Sequence, residues 1–241
     1  VVGLAQGGES REPAFLQNVI ALARPLRVPL IRIDNIFTHY DVVDRAPDGR
    51  LVYHFDKLDR VVDTVRAMGA EPYMCLGYMP PALVPGGTSI DPPQSYDEWR
   101  DLVFQTVKHY NIDRGPPIKY WEVWNEPNLN YSWTGGYPGY LQLYDSSRDG
   151  MVAADSTAWI GGPTITPLDV TAPAWLMGNE HEQGPRGRVD FLSWHSFGRT
   201  FAQIEADVKA VQEVVAAQST FHPELIISEF IVATGGAGDT S

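Results

Sequence analysis

The sequence predicts an α/β fold with a parallel sheet, in a single domain over residues 1–241. Two observations carry this. Short runs rich in β-branched and aromatic residues alternate with longer segments whose apolar residues recur at helical spacing. A chain of 241 residues with 44% hydrophobic residues is also long enough to bury one large core.

Taken in order, Val1 to Ala5 reads as a first strand, and Glu12 to Arg24 as its helix, with Pro13 suited to the first turn. Leu30 to Asp34 is a second strand. The helix after it carries Phe55, Leu58, Val62, Val65 and Met68 on one face and stops at Gly69. Pro72 to Gly77 is the third strand, and its helix opens on Ser95 and Glu98, spaced as a capping box, and runs to about Tyr110. The fourth strand begins near Ile118, and Tyr140 to Ala154 follows as helix. Trp159 to Gly162 and Val189 to Ser196 are strands five and six. Ile204, Val208, Val211 and Val215 mark a helix, and Leu225 to Phe230 is strand seven. Long segments rich in Gly and Pro follow strands two, three and four.

The formal net charge of -12 disfavours nucleic acid and anionic membranes as partners, because phosphate binding needs clustered Lys and Arg. No apolar run approaches the roughly 20 residues a membrane-spanning helix requires. Cys75 is the only cysteine and sits in an apolar run, where a core thiol is expected. His39-Tyr40-Asp41 has no partner at metal-ligand spacing, and no HExxH, CxxC or Gly-Lys-Ser/Thr motif occurs. No metal or cofactor is expected. Val1 already reads as strand, so the sequence assigns no compartment.

The most informative stretch is Tyr120-Trp121-Glu122-Val123-Trp124-Asn125-Glu126-Pro127-Asn128. It starts as a strand and is expected to end near Glu126, because Pro127 cannot donate to a sheet and pushes its predecessor towards an extended conformation. A carboxylate is thereby presented at the carboxyl end of a strand between an amide and indoles. This stretch resembles the acid/base signature of retaining glycoside hydrolases on (β/α)8 barrels, most closely glycoside hydrolase family 39, the family of β-xylosidases and α-L-iduronidases. The resemblance implies a (β/α)8 barrel, a glycoside substrate, Glu126 as acid/base and Asn125 as the group that binds the sugar 2-hydroxyl. A β-xylosidase- or β-glucosidase-like activity is expected.

Double displacement needs a second carboxylate about 5 to 5.5 Å from the first. Asp190 and Glu224 lie at strand starts, away from the end where barrels carry their chemistry. Glu229 ends strand seven, and Ile227-Ser228-Glu229-Phe230 resembles the family's nucleophile segment. Glu122 alternates in phase with Trp124 and points into the barrel, where Arg32 from strand two is a suitable partner. In the wider clan an Arg at that position contacts the nucleophile, so Arg32 is also a site residue. By the same resemblance His195, in Trp194-His195-Ser196-Phe197, reaches the site; Phe197 stands where the family often has Tyr, and Asp34 where it tends to have His. Among loop aromatics, Trp133 follows Glu126 closely enough to stack on a sugar face.

Only seven of the eight expected units are recognisable. A strand edge left open exposes unpaired backbone, and self-association through it is expected. The gap also motivates an alternative, a carbohydrate-binding barrel fragment without turnover. An aldolase or isomerase would show a Schiff-base Lys or a metal cluster at strand ends, and neither is found.

Overall fold

A computed structural model of the chain describes residues 4–6, 20, 24–218 and 220–233. Seven parallel strands form one sheet in the order β1-β2-β5-β6-β7-β8-β9. These are β1 (Leu4–Gln6), β2 (Leu30–Ile33), β5 (Glu71–Leu76), β6 (Tyr120–Val123), β7 (Trp159–Ile165), β8 (Phe191–Arg199) and β9 (Glu224–Val232). Each is hydrogen-bonded to the next strand in chain order except for a detour between β2 and β5. There an antiparallel hairpin, β3 (Val43–Arg45) and β4 (Leu51–Tyr53), stands apart from the sheet. It adds to the expected elements; Asp48-Gly49 between two apolar runs is its signal, and Gly49 takes the positive φ of 85° such a turn needs. Proteins of this fold class carry their chemistry where parallel strands end, and all the strand ends point one way here.

Helices cover the outer face. A short α1 (Ile36–His39) follows β2, and α2 (Asp56–Ala67) buries Leu58, Val61, Val62 and Val65. Gly69, at φ 84°, turns the chain out of α2 and lets Ala70 N–H reach the Val65 carbonyl. In α3 (Tyr96–Lys108) the Ser95 hydroxyl accepts from Glu98 N–H, while Trp99, Leu102, Val103 and Val107 face the core. A π-helical turn, His109–Arg114, carries the chain from α3 towards β6. After β6 comes α4 (Gly136–Ala154), and α6 (Phe201–Ala216) opens on a full capping box between Thr200 and Gln203.

The sequence gives no helical pattern between β7 and β8, yet α5 (Thr171–Glu182) lies there. Its apolar residues do not fall into a clean helical stripe, and Pro173 and Gly178 read as breakers. Tertiary contacts hold it instead: Leu176 and Met177 are buried, and Glu180 accepts from Arg148 of α4 at 2.6 Å. Of the strand expected over Val1 to Ala5, Leu4 and Ala5 lie in β1 and the rest falls outside the described residues, as does most of the helix expected over Glu12 to Arg24. No helix among the described residues is long and apolar enough to cross a membrane. Beside β9 lies a cleft of about 910 Å³ lined by Leu30, Trp194, Ile204, Leu225 and Ile227.

The approach of α3 and α4 depends on one glycine. A Cβ on Gly150 would fall 2.4 Å from the Arg100 carbonyl oxygen, a backbone atom that cannot swing aside. We expect Gly150→Ala to cost about 1–3 kcal/mol by urea denaturation, as overpacking does. Gly178→Ala in α5, with nothing within 4 Å of the new carbon, should be neutral or stabilise by up to about 1 kcal/mol. Equal effects at the two sites would show that helix propensity, and not packing, governs both.

Candidate active site

The interior of the sheet is laid out in layers. Tyr73 of β5, Tyr120 of β6 and Phe191 of β8 form a small aromatic cluster near the strand starts, with Ile226 of β9 against it. Beside Tyr73 in the register of β2 against β5 lies Arg32, 3% exposed, whose donors reach across the sheet. Its Nε donates to Glu122 Oε2 at 2.6 Å and its Nη1 to Glu229 Oε1 at 2.7 Å. Nη1 also pairs with Asp34, and Nη2 donates to Asn125 Oδ1 at 2.9 Å and towards Cys75 Sγ at 3.5 Å. Arg32 therefore serves both the interior partner and the strand-seven glutamate that the sequence weighed for it.

Glu122 is fully buried and also accepts from Tyr73 Oη at 2.6 Å. Burial alone would raise its pKa, but Arg32 and the Tyr73 hydroxyl outweigh that and hold it below the usual carboxylate range. Asp34 goes the other way. Burial pushes it up to about 6, against the pull of Arg32, with Glu229 and Glu122 adding to the rise. One guanidinium facing three carboxylates cannot neutralise all of them, so Asp34 is the one that readily takes a proton. Burial also pushes the Cys75 thiol well up, which suits an inert core thiol.

Two irregularities deliver the glutamates. β6 ends at Val123, and the chain then turns through positive φ at Trp124 (68°) and Glu126 (50°). The extended conformation expected of Glu126 before Pro127 is not adopted. Left-handed backbone costs an L residue about 1–2 kcal/mol, and surrounding hydrogen bonds hold it. Glu126 N–H donates to the Thr164 carbonyl at 3.0 Å, and Ser132 Oγ donates to the Asn125 carbonyl at 2.6 Å. Thr164 is itself at φ 55°, where the register of β7 against β8 shifts between Pro163 and Ile165.

The second irregularity is in β9. Ser193 pairs with Ile226 and Trp194 with Ile227, but His195 pairs with Glu229, so Ser228 is the extra residue of a bulge. Ile226 faces the interior cluster while Leu225 and Ile227 pack on the outer, helix-covered core. Strict alternation from Ile226 would turn Ser228 inward and Glu229 outward. The bulge reverses this and brings Glu229 to Arg32.

Between the two glutamates sits His195, 1% exposed. Its Nδ1 is 2.8 Å from Glu126 Oε1, and its Nε2 is 3.7 Å from Glu229 Oε1. Asn125, fixed by Arg32 at its oxygen, donates from Nδ2 to Tyr78 Oη at 3.3 Å. Phe197 lies beside His195, with ring centroids 5.4 Å apart, and is 40% exposed. Trp133 departs from expectation. It is 1% exposed, its ring packs on Trp124 at 4.8 Å, and its Nε1 donates to the Gly136 carbonyl. It belongs to the core and offers no open face for a sugar. Tyr78, one of the loop aromatics given less weight than Trp133, joins the site, and so do Tyr73 and Thr164, which the sequence does not single out; alternation within β5 in phase with Cys75 flags Tyr73, whereas nothing local marks Thr164. Among the described residues no group of three His, Cys, Asp or Glu side chains is arranged to hold a metal ion.

A parallel α/β sheet with helices outside, and two glutamates brought together at its carboxyl rim over a buried arginine, is the arrangement of the (β/α)-barrel class. Sequence comparison supplies the family: the profile of glycosyl hydrolases family 39 matches residues 10–224, and the chain belongs to that family. It is 32% identical to a β-xylosidase of Caldicellulosiruptor saccharolyticus over 165 residues, covering 64% of this chain and 33% of that protein. It is 30% identical to the α-L-iduronidase of Homo sapiens over 212 residues, covering 79% of this chain and 31% of that one. Its fold is similar to the crystal structure of a monomeric β-xylosidase from Caulobacter crescentus, with TM-score 0.78 and 23% identity over 95% of this chain and 52% of the other. The chain thus spans about a third of these curated relatives and about half of that solved structure.

The Asp34 environment has a measurable consequence. Its folded pKa of about 6 lies above the unfolded value of about 3.9, so between those values the folded chain keeps a proton that the unfolded chain has lost. Stability should fall as pH rises through that window, by about 3 kcal/mol in all, and level off above it. Urea denaturation of Asp34→Asn from pH 4 to 7 should lack this slope. Parallel curves for the two proteins would refute the assignment.

Proposed function

We propose that this chain carries the catalytic centre of a retaining glycoside hydrolase that cleaves O-glycosidic bonds by double displacement. The observation that carries the reading is the convergence of Glu126 and Glu229, from the ends of β6 and β9, on the same buried imidazole. Glu126 supplies the proton: as the glycosidic C–O bond breaks, that proton passes to the departing oxygen. Glu229 attacks the anomeric carbon from the opposite face and forms an ester; Arg32, donating to it at 2.7 Å, holds the carboxylate in place for that attack. Glu126, now ionised, takes a proton from water as the water oxygen bonds the anomeric carbon and the ester breaks.

Asn125 has its oxygen committed to Arg32, so its amide is the end that meets a sugar hydroxyl. One amide hydrogen is directed at Tyr78 and the other is available to the 2-hydroxyl, in line with the role the family resemblance gives this residue. For the substrate we infer a neutral glycoside of the β-xyloside type. The relatives include β-xylosidases, and a formal net charge of -12 lowers the local concentration of anionic sugars.

Glu229→Ala should abolish nearly all turnover. Glu126→Ala should slow aryl glycosides with poor leaving groups about a hundred- to ten-thousand-fold while sparing those with very good ones. Proton NMR of the first-formed sugar should show the starting anomeric configuration; an inverted product rejects double displacement. Sugar binding without turnover of any aryl glycoside would favour the binding-only alternative.

On matched aryl substrates at low salt, kcat/KM for the xyloside should exceed that for the iduronide, and added salt should narrow the gap. Comparable efficiencies would show that the overall field does not select the substrate.

A further inference from the structure

His195 touches both glutamates but neither end of it is explained by holding one of them alone. Its Nδ1 lies 2.8 Å from Glu126 Oε1, while Nε2, buried and without a hydrogen-bond partner among the described residues, lies 3.7 Å from Glu229 Oε1. The charged groups around it are few. Glu126 approaches from the turn after β6 and Glu229 from β9, with Arg32 of β2, Asp34 just after it and Glu122 of β6 behind them. Asp34 and Glu122 both sense the imidazole electrostatically. The residues of β7 beside it, Pro163, Thr164 and Ile165, carry no charge.

A neutral imidazole has one N–H and one lone pair, on opposite nitrogens. With Glu229 ionised, the tautomer that turns N–H towards it carries the hydrogen on Nε2. Nδ1 is then an acceptor, and a 2.8 Å contact with Glu126 is favourable only if Glu126 brings the hydrogen. Once Glu229 is an ester its charge is gone, and the opposite tautomer, with N–H on Nδ1, suits an ionised Glu126. We propose that His195 is a positioning residue whose tautomer couples the proton on Glu126 to the charge on Glu229. It favours acid plus carboxylate before glycosyl transfer and a base after it.

The coupling adds no proton to the balance of the two half-reactions. As the tautomer changes, water, the second substrate of the hydrolysis, takes the Nε2 hydrogen and returns one to Nδ1, so the imidazole stays neutral. The inference rests on the catalytic pair proposed above, but one of its tests does not depend on turnover.

That test is nitrogen-15 NMR of histidine-labelled protein near pH 6.5, with the His195 ring assigned through its contact with Phe197. The wild type should show N–H on Nε2. Glu229→Gln, which keeps an oxygen towards Arg32 but removes the negative charge that draws N–H to Nε2, should move N–H to Nδ1. The same tautomer in both proteins, or an imidazolium in both, overturns the proposal whether or not the chain hydrolyses anything.

The kinetic arm uses His195→Asn, whose amide can still reach Glu126 but cannot contact Glu229, and His195→Gln, which reverses that choice. In His195→Asn the alkaline limb of the kcat/KM profile should move down by about one pH unit, the equivalent of one net hydrogen bond. A lower rate with both limbs unmoved means that His195 only props up Glu126, and the coupling is wrong. Failure of the catalytic assignment itself has a separate signature, retention of turnover in Glu126→Gln and Glu229→Gln.

Discussion

The site depends on one buried guanidinium. Arg32 is the meeting point of β2, β5, β6 and β9: it holds Glu122 and Glu229, pairs with Asp34, orients Asn125 and lies against Cys75. Burying a charge costs several kcal/mol unless it is paired with good geometry, and here each donor direction is matched. A lysine would carry the charge but not the planar fork that addresses several strands at once. Three carboxylates against one cation leave an excess of negative charge, which the site relieves at Asp34. The ionisation of Glu122 and the attachment of Glu229 are thus linked to the proton on a neighbour that is itself 8% exposed.

That arrangement makes the reactive rim a product of the whole sheet. Glu126 is held by a carbonyl of β7, Asn125 by a side chain of β2 and by Ser132, and Glu229 by β2 across the interior. Two residues in left-handed backbone, Glu126 and Thr164, are joined by one hydrogen bond, so the distortion of β6 and that of β7 support each other.

Much of this was legible in the sequence, for identifiable reasons. Period-two alternation is enough to turn Glu122 inward and to nominate Arg32 as its partner, because both lie in the regular part of their strands. Ser95, Gly69 and the apolar stripe of α2 are local signals and describe local structure. What escaped was non-local or irregular. α5 is held by buried contacts such as Glu180 with Arg148, which no helical period announces. The turn at Trp124 and Glu126 overrides the usual effect of a following proline because Thr164 and Ser132 fix it. Trp133 sits in a loop by sequence, yet its ring completes the aromatic core around Trp124. A loop position says where the backbone runs, not which way a large side chain will bury itself.

The bulge at Ser228 reaches beyond the residue it re-aims. In a strand, the face a side chain takes is a matter of odd and even, and one extra residue exchanges the two from that point on. β9 is therefore two half-strands of opposite parity, the first filling the core with Leu225 and Ile227, the second presenting Glu229. Changes in length within it are not equivalent. Losing or gaining one residue between Ile227 and Glu229 swaps which face holds the carboxylate, whereas a change of two restores it. Substitution leaves that parity as it is, but the length of the strand between those two residues is effectively frozen.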